Sequence, residues 1–133
     1  MTRREAREQA FILIFEKSFQ SDSEICELVS FAEENEVFQA DNYSVKLAVD
    51  TFENIERIDE IISSNLKGWN YSRISKVTKA LLRIAVCEML FYEEIPVSVS
   101  INEAVEIAKK FAGENDPSYI NGILGSVAKS LCV

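Results

Sequence analysis

The chain has no histidine, only three cysteines, four glycines and two prolines in 133 residues. Each shortage removes a class of chemistry. Without histidine there is no Ser-His or Cys-His nucleophile pair. Cys26, Cys87 and Cys132 are odd in number and widely spaced, which excludes a zinc finger, a CxxC redox pair and a disulfide framework. Gly68, Gly113, Gly122 and Gly125 spell neither GxxxxGK nor GxGxxG, so no phosphate loop is encoded. The longest apolar run, ALLRIAVCEMLF, is broken by Arg83 and Glu88 and is too short to span a bilayer. The first residues are arginines and glutamates with no leader cleavage site after them. These absences predict a cytoplasmic non-enzyme with no metal, no cofactor and no membrane contact.

An apolar content of 47% is enough for one core, and residues 1–133 read as a single domain. The net charge of −8 argues against nucleic acid until its distribution is considered. Residues 16–60 hold 13 acidic and 3 basic side chains, whereas no acid falls between Glu60 and Glu88. Lys67, Arg73, Lys76, Lys79 and Arg83 all lie in that acid-free stretch. A polarised protein can bind an anion with one face while another stays acidic.

Helical periodicity dominates. Thr2 and Glu5 form a capping box for a first helix whose stripe is Ala6, Ala10, Leu13 and Ile14. Ser21 and Glu24 repeat the pattern before Ile25, Leu28, Val29 and Ala32. A third helix starts near Asp41 or Asn42, with Val45, Ala48, Val49, Phe52 and Ile55 inward, and breaks around Asn54. A short fourth follows with Ile58, Ile61, Ile62 and Leu66. KGWNYS is loop-like, with Gly68 as C-terminal cap, Trp69 as a packing anchor or interface residue and Ser72 as the next N-cap. The central helix, roughly residues 73–92, buries Ile74, Val77, Leu81, Ala85, Met89 and Cys87. Pro96 keeps Ile95 extended, and Ser100 with Glu103 forms a further capping box ahead of Ala104, Val105, Ala108 and Phe111. Asp116 and Pro117 open a last helix with Ile120, Ile123, Leu124, Val127 and Leu131 inside. The expected fold is all-α, a compact bundle of six or seven helices.

Three groups of residues could carry binding chemistry. Arg3, Arg4 and Arg7 are three and four apart and share one side of the first helix, where cations oppose the macrodipole. That unfavourable placement suits phosphate contact; alternatively Arg4 pairs with Glu8 on a solvated face. Tyr119, with Asn115 and Asn121, could stack and read an unpaired base, or pack on the core and tie down the loop. Lys76, Lys79 and Arg83 recur on the central helix. The two lysines could serve RNA or a protein partner, and Arg83 is expected to form a structural ion pair with Glu103.

The ordered series RREAR, IDEII, Trp69 with Arg73, LLRIAVCEM, INEAVEIAKKF and INGIL resembles the NusB family along practically the whole chain. That resemblance implies an all-α fold in two packed halves. It implies a transcription antitermination factor that binds single-stranded boxA RNA of ribosomal-operon leaders. Its partner would be NusE, also a small-subunit ribosomal protein, and the pair would join an RNA polymerase antitermination complex. Homodimers occur in the family and would cover the same surface. The resemblance places Arg3, Arg4, Arg7, Asn115, Tyr119 and Asn121 at the RNA surface. Departures are Cys87 where an aromatic is common, Asn115 where an acid stands in a relative, and Glu5 diluting the basic cluster. Competing readings are a helical adaptor that never touches RNA, and the N-terminal domain of an rRNA cytosine methyltransferase; the latter would need a cofactor-binding domain beyond Val133.

Overall fold

The three-and-four spacing of apolar residues is realised as seven α-helices in the computed structural model, which describes residues 1–20, 22–36, 39, 41–66 and 71–131. They are α1 (Arg3–Lys17), α2 (Ile25–Glu34), α3 (Asn42–Glu53), α4 (Ile55–Ser64), α5 (Lys76–Phe91), α6 (Val97–Phe111) and α7 (Asp116–Leu131), with one 3-10 turn at Tyr71–Arg73. No strand occurs among the described residues. Trp69, Gly68, Lys67, Ser21 and Cys132, to which the sequence assigned roles or environments, lie outside those residues.

Helices α1, α2 and α3 pack on one another, and α6 packs on α7. Helix α5 joins the two groups, touching α1, α3, α4, α6 and α7. This central position explains its composition. Ala80, Leu81, Leu82, Ile84, Ala85, Val86 and Cys87 are all buried, so α5 is apolar nearly all round rather than along one stripe. Around it, Leu13, Leu47, Ile58, Ile62, Ile107, Ile120 and Leu124 are almost completely excluded from water. Each such side chain contributes about 1.5–3 kcal/mol by transfer from solvent.

Of the three proposed capping boxes, the first is present. Thr2 Oγ1 accepts the Glu5 N–H at 3.1 Å, and the Thr2 N–H donates to Glu5 Oε1 at 3.0 Å. The other two are corrected. Helix α2 starts at Ile25, with Glu24 itself in the cap position and no side-chain cap bond. Helix α6 starts four residues earlier than expected, with Pro96 rather than Ser100 in the cap position, because proline sets a helix-compatible φ and needs no acceptor for an N–H. Ser100 and Glu103 therefore sit inside α6 and are released for tertiary contacts. Helix α5 likewise begins after Ser75, not Ser72, and Ser75 Oγ accepts the Thr78 N–H at 3.2 Å. Asp41 caps α3 as expected, and Asn54 separates α3 from α4. Phe52, Phe111 and Leu131, assigned to the interior, are more than a third exposed because each lies on the outer edge of its helix.

Candidate nucleic-acid interface

The start of α1 is organised by two acids on neighbouring helices. Glu88 of α5 is 2% exposed and accepts from three elements. Arg7 Nε donates at 2.8 Å, the Ser100 hydroxyl of α6 at 2.9 Å, and the Tyr43 hydroxyl of α3 completes the set. Glu103 of α6 takes Arg4 through Nε at 3.0 Å and Nη2 at 2.6 Å, and Arg7 Nη1 at 3.3 Å. Burial, then the bond to Glu88, pushes the Tyr43 phenol above its ordinary pKa. Two guanidinium groups and two carboxylates thus neutralise each other where α1, α3, α5 and α6 meet.

This geometry corrects two expectations. Arg7 does not face solvent: its side chain is 7% exposed and is ion-paired to two acids, Glu88 and Glu103. The helical spacing placed Arg7 with Arg3 and Arg4, but one further turn into the helix already lies under α6. Nor does Arg83 pair with Glu103. It binds Asp59 of α4 through Nε at 2.8 Å and Nη2 at 2.9 Å, and the Tyr71 hydroxyl donates to the same carboxylate at 2.7 Å. Arg83 and Glu88 point to different neighbours because five residues on a helix separate side chains by well over one turn. Glu103 is left for Arg4 and Arg7, and Glu8 pairs with Lys110 rather than with Arg4.

Arg3 and Arg4 keep access to solvent. Arg3 lies 3.9 Å over the Tyr43 ring centroid, and half of the Arg4 side chain remains exposed. From Glu103, α6 runs on to Lys110, Phe111 and the loop bearing Asn115. Tyr119 is half-buried at the start of α7, Asn115 and Asn121 are exposed, and Tyr119 lines two adjoining hollows. The larger, about 380 Å³, is walled by Arg73, Ile74, Ser75, Thr78, Asn115, Asp116 and Tyr119. Asp116 closes the loop by accepting the Gly113 N–H at 2.8 Å. The arginines and this hollow meet α5 near Glu88 and Thr78, ten residues or about 15 Å apart along the helix.

Lys76 and Lys79 belong to neither group. Lys76 Nζ donates to the Ser18 carbonyl at 3.0 Å and lies 4.1 Å from the Phe19 ring centroid. Lys79 sits 4.8 Å from the Tyr71 ring centroid, and burial followed by the nearby Arg83 lowers its pKa. Sequence reasoning missed Glu88, Asp59 and Tyr43 as organising residues. For Glu88 a signal existed: an acid in the most apolar stretch of the chain needs a buried cation. Asp59 sits in an acidic run and carries no such mark.

The profile of the NusB family matches residues 4–129. The Transcription antitermination protein NusB of Acetivibrio thermocellus is 44% identical over 130 residues, covering 97% of this chain and 90% of the relative. A solved structure of T. maritima NusB has a TM-score of 0.81 at 34% identity, covering 97% of this chain and 92% of that one. A structure of antitermination factors NusB and NusE in complex with dsRNA has a TM-score of 0.84 at 26% identity, covering 96% of each chain.

Proposed function

The chain belongs to the NusB family, and we propose that it is a transcription antitermination factor that binds boxA RNA of ribosomal-operon leader transcripts together with NusE. The observation that carries this reading is the agreement in sequence and fold, over almost the full length, with a relative solved together with NusE and RNA. In the cytoplasm the heterodimer would enter an elongating RNA polymerase complex and suppress termination. Free of NusE, the same surface could be covered in a homodimer.

Arg3 and Arg4 are the phosphate contacts of α1, and Arg7 holds the helix in place beneath them. Tyr119 offers a ring to an unpaired base, and Asn115 and Asn121 offer amides to base edges. Lys76 and Lys79 are offered to the protein partner. The neutralisation of Arg4 and Arg7 by carboxylates favours a second reading, an adaptor that binds protein alone.

Titration of labelled single-stranded boxA RNA with the protein, with and without NusE, separates the two. Sequence-dependent RNA binding that tightens with NusE is expected. Binding of NusE without any RNA affinity would establish the adaptor instead.

A further inference from the structure

Five phenylalanine side chains are substantially exposed among the described residues: Phe19, Phe31, Phe52, Phe91 and Phe111. Four of them carry a cation from the chain itself. Lys76 lies over Phe19, Lys17 over Phe52, Arg57 over Phe91 and Lys110 over Phe111, at 4.1–5.7 Å from the ring centroids. Phe31 is the most exposed of the five, at 64%, and has neither a ring nor a cation against it among the described residues. Its sequence neighbourhood supplies none: residues 18–45 contain seven acids and no lysine or arginine.

Phe31 stands on the rim of a hollow of about 470 Å³ between the end of α1 and α2. Leu28 and Ala32, both buried, form its floor. Glu16 of α1 and Glu27 of α2 line it too, and neither carboxylate is ion-paired among the described residues. Glu27 and Phe31 are four apart, so they project from one face of α2. Burial raises the pKa of Glu16, with no neighbouring cation to offset it.

We propose that this hollow docks a basic segment of a protein partner, with an arginine guanidinium stacked on the Phe31 ring between the Glu16 and Glu27 carboxylates.

Charge selects the class of partner. Two unpaired carboxylates and a bare ring face attract a cation, and the carboxylates repel a phosphate backbone. Arginine suits the site better than lysine, because its planar guanidinium can stack and bond a carboxylate at once. The apolar floor receives an apolar neighbour of that arginine, which a protein segment has and a small polyamine lacks. The hollow is also remote from the basic start of α1. Glu16 lies about 20 Å along that helix from Arg3, beyond the range of screened charge at physiological salt. RNA and the basic segment can therefore be held together, and the inference stands whether or not RNA binds.

The probe is fluorescein-labelled hexa-arginine, titrated by anisotropy at physiological salt into wild type, F31A, F31W and the double variant E16Q/E27Q. The double variant E53Q/E56Q serves as a control from the acidic surface elsewhere. F31A is expected to weaken binding about two- to five-fold, the worth of one exposed cation–π contact. F31W should bind at least as tightly as wild type, since indole offers the better face. E16Q/E27Q should weaken binding up to about tenfold and flatten its salt dependence. E53Q/E56Q should match wild type, and hexalysine should bind less tightly than hexa-arginine. Phe31 lies outside the core, so F31A should melt like wild type and its loss of binding is not a loss of fold. Wild-type affinity in F31A would overturn the site. Equal weakening by E53Q/E56Q would reduce the attraction to net charge and overturn it as well. Spermidine competing as strongly as hexa-arginine would assign the hollow to a small polycation instead. A changed oligomeric state of F31A in sedimentation would assign it to a second copy of this chain, and a drop in NusE affinity would make it part of that interface; each of these overturns the proposal.

Discussion

Arg7 and Glu88 are 81 residues apart in the chain, yet Arg7 Nε donates to Glu88 Oε2 at 2.8 Å with both side chains almost excluded from water. Desolvating two ions costs several kcal/mol each, and the pair is sustained because Tyr43, Ser100 and Glu103 complete its hydrogen bonds. Its consequence is positional. Helix α1 is keyed to α5 and α6 at one register, and Arg3 and Arg4 are thereby placed at the surface.

Removing one member of that pair should therefore be far more damaging than removing an outer arginine. Arg7→Ala or Glu88→Ala is expected to cost about 3–5 kcal/mol, because the remaining charge is buried without its partner. Arg3→Ala should leave stability within about 0.5 kcal/mol of wild type. Urea unfolding of the three variants checks this. Arg7→Ala melting like wild type would mean that the guanidinium is solvated and free to meet RNA.

A double-mutant cycle discriminates between the two partners considered for Arg83. Arg83 with Asp59 should show a coupling of about 1–3 kcal/mol, since the two-point contact is shared with Tyr71 and partly shielded. Arg83 with Glu103 should be additive. Coupling in the second cycle and not the first would restore the pairing that the sequence suggested.

At Tyr119 the ring, rather than the hydroxyl, is expected to matter for RNA. Tyr119→Ala should lose about 1–3 kcal/mol of RNA binding and Tyr119→Phe little. NusE affinity in the absence of RNA should be unchanged in both. Because Tyr119 also packs partly against the core, thermal melts must accompany the binding curves. A collapse of stability with both affinities falling in step would make Tyr119 a core residue only.

Alkaline pH should destabilise the fold before it affects most surface groups. Burial pushes the Cys87 thiol from 9.0 up to about 11, and burial also raises Tyr43, Tyr71 and Tyr92. A raised pKa means that the folded state holds the proton more tightly. The stabilisation is therefore complete below pH 9 and is lost as pH climbs toward 11 and beyond. Melting temperatures measured across that window should fall steadily; a flat profile would show that these groups ionise as easily folded as unfolded.

The sequence alone determined that the chain is built of these helices and which side chains form most of the interior. Apolar residues three and four apart must share a face once a helix forms, so Ala6, Ala10, Leu13 and Ile14, or Ile120, Ile123, Leu124 and Val127, were readable as core from spacing. The Thr2 and Glu5 cap was readable for the same reason, since both partners lie within one turn. The series of motifs also identified the family. What only the tertiary structure decided was the destination of each charge. Glu103 carried the mark of a cap but binds Arg4 and Arg7, because Pro96 starts its helix earlier and α1 lies alongside. Arg83 found Asp59 on a neighbouring helix. Helix formation is governed by neighbours a few residues away, whereas an ion pair depends on which helices meet and at what register, and that is settled only when the whole core packs.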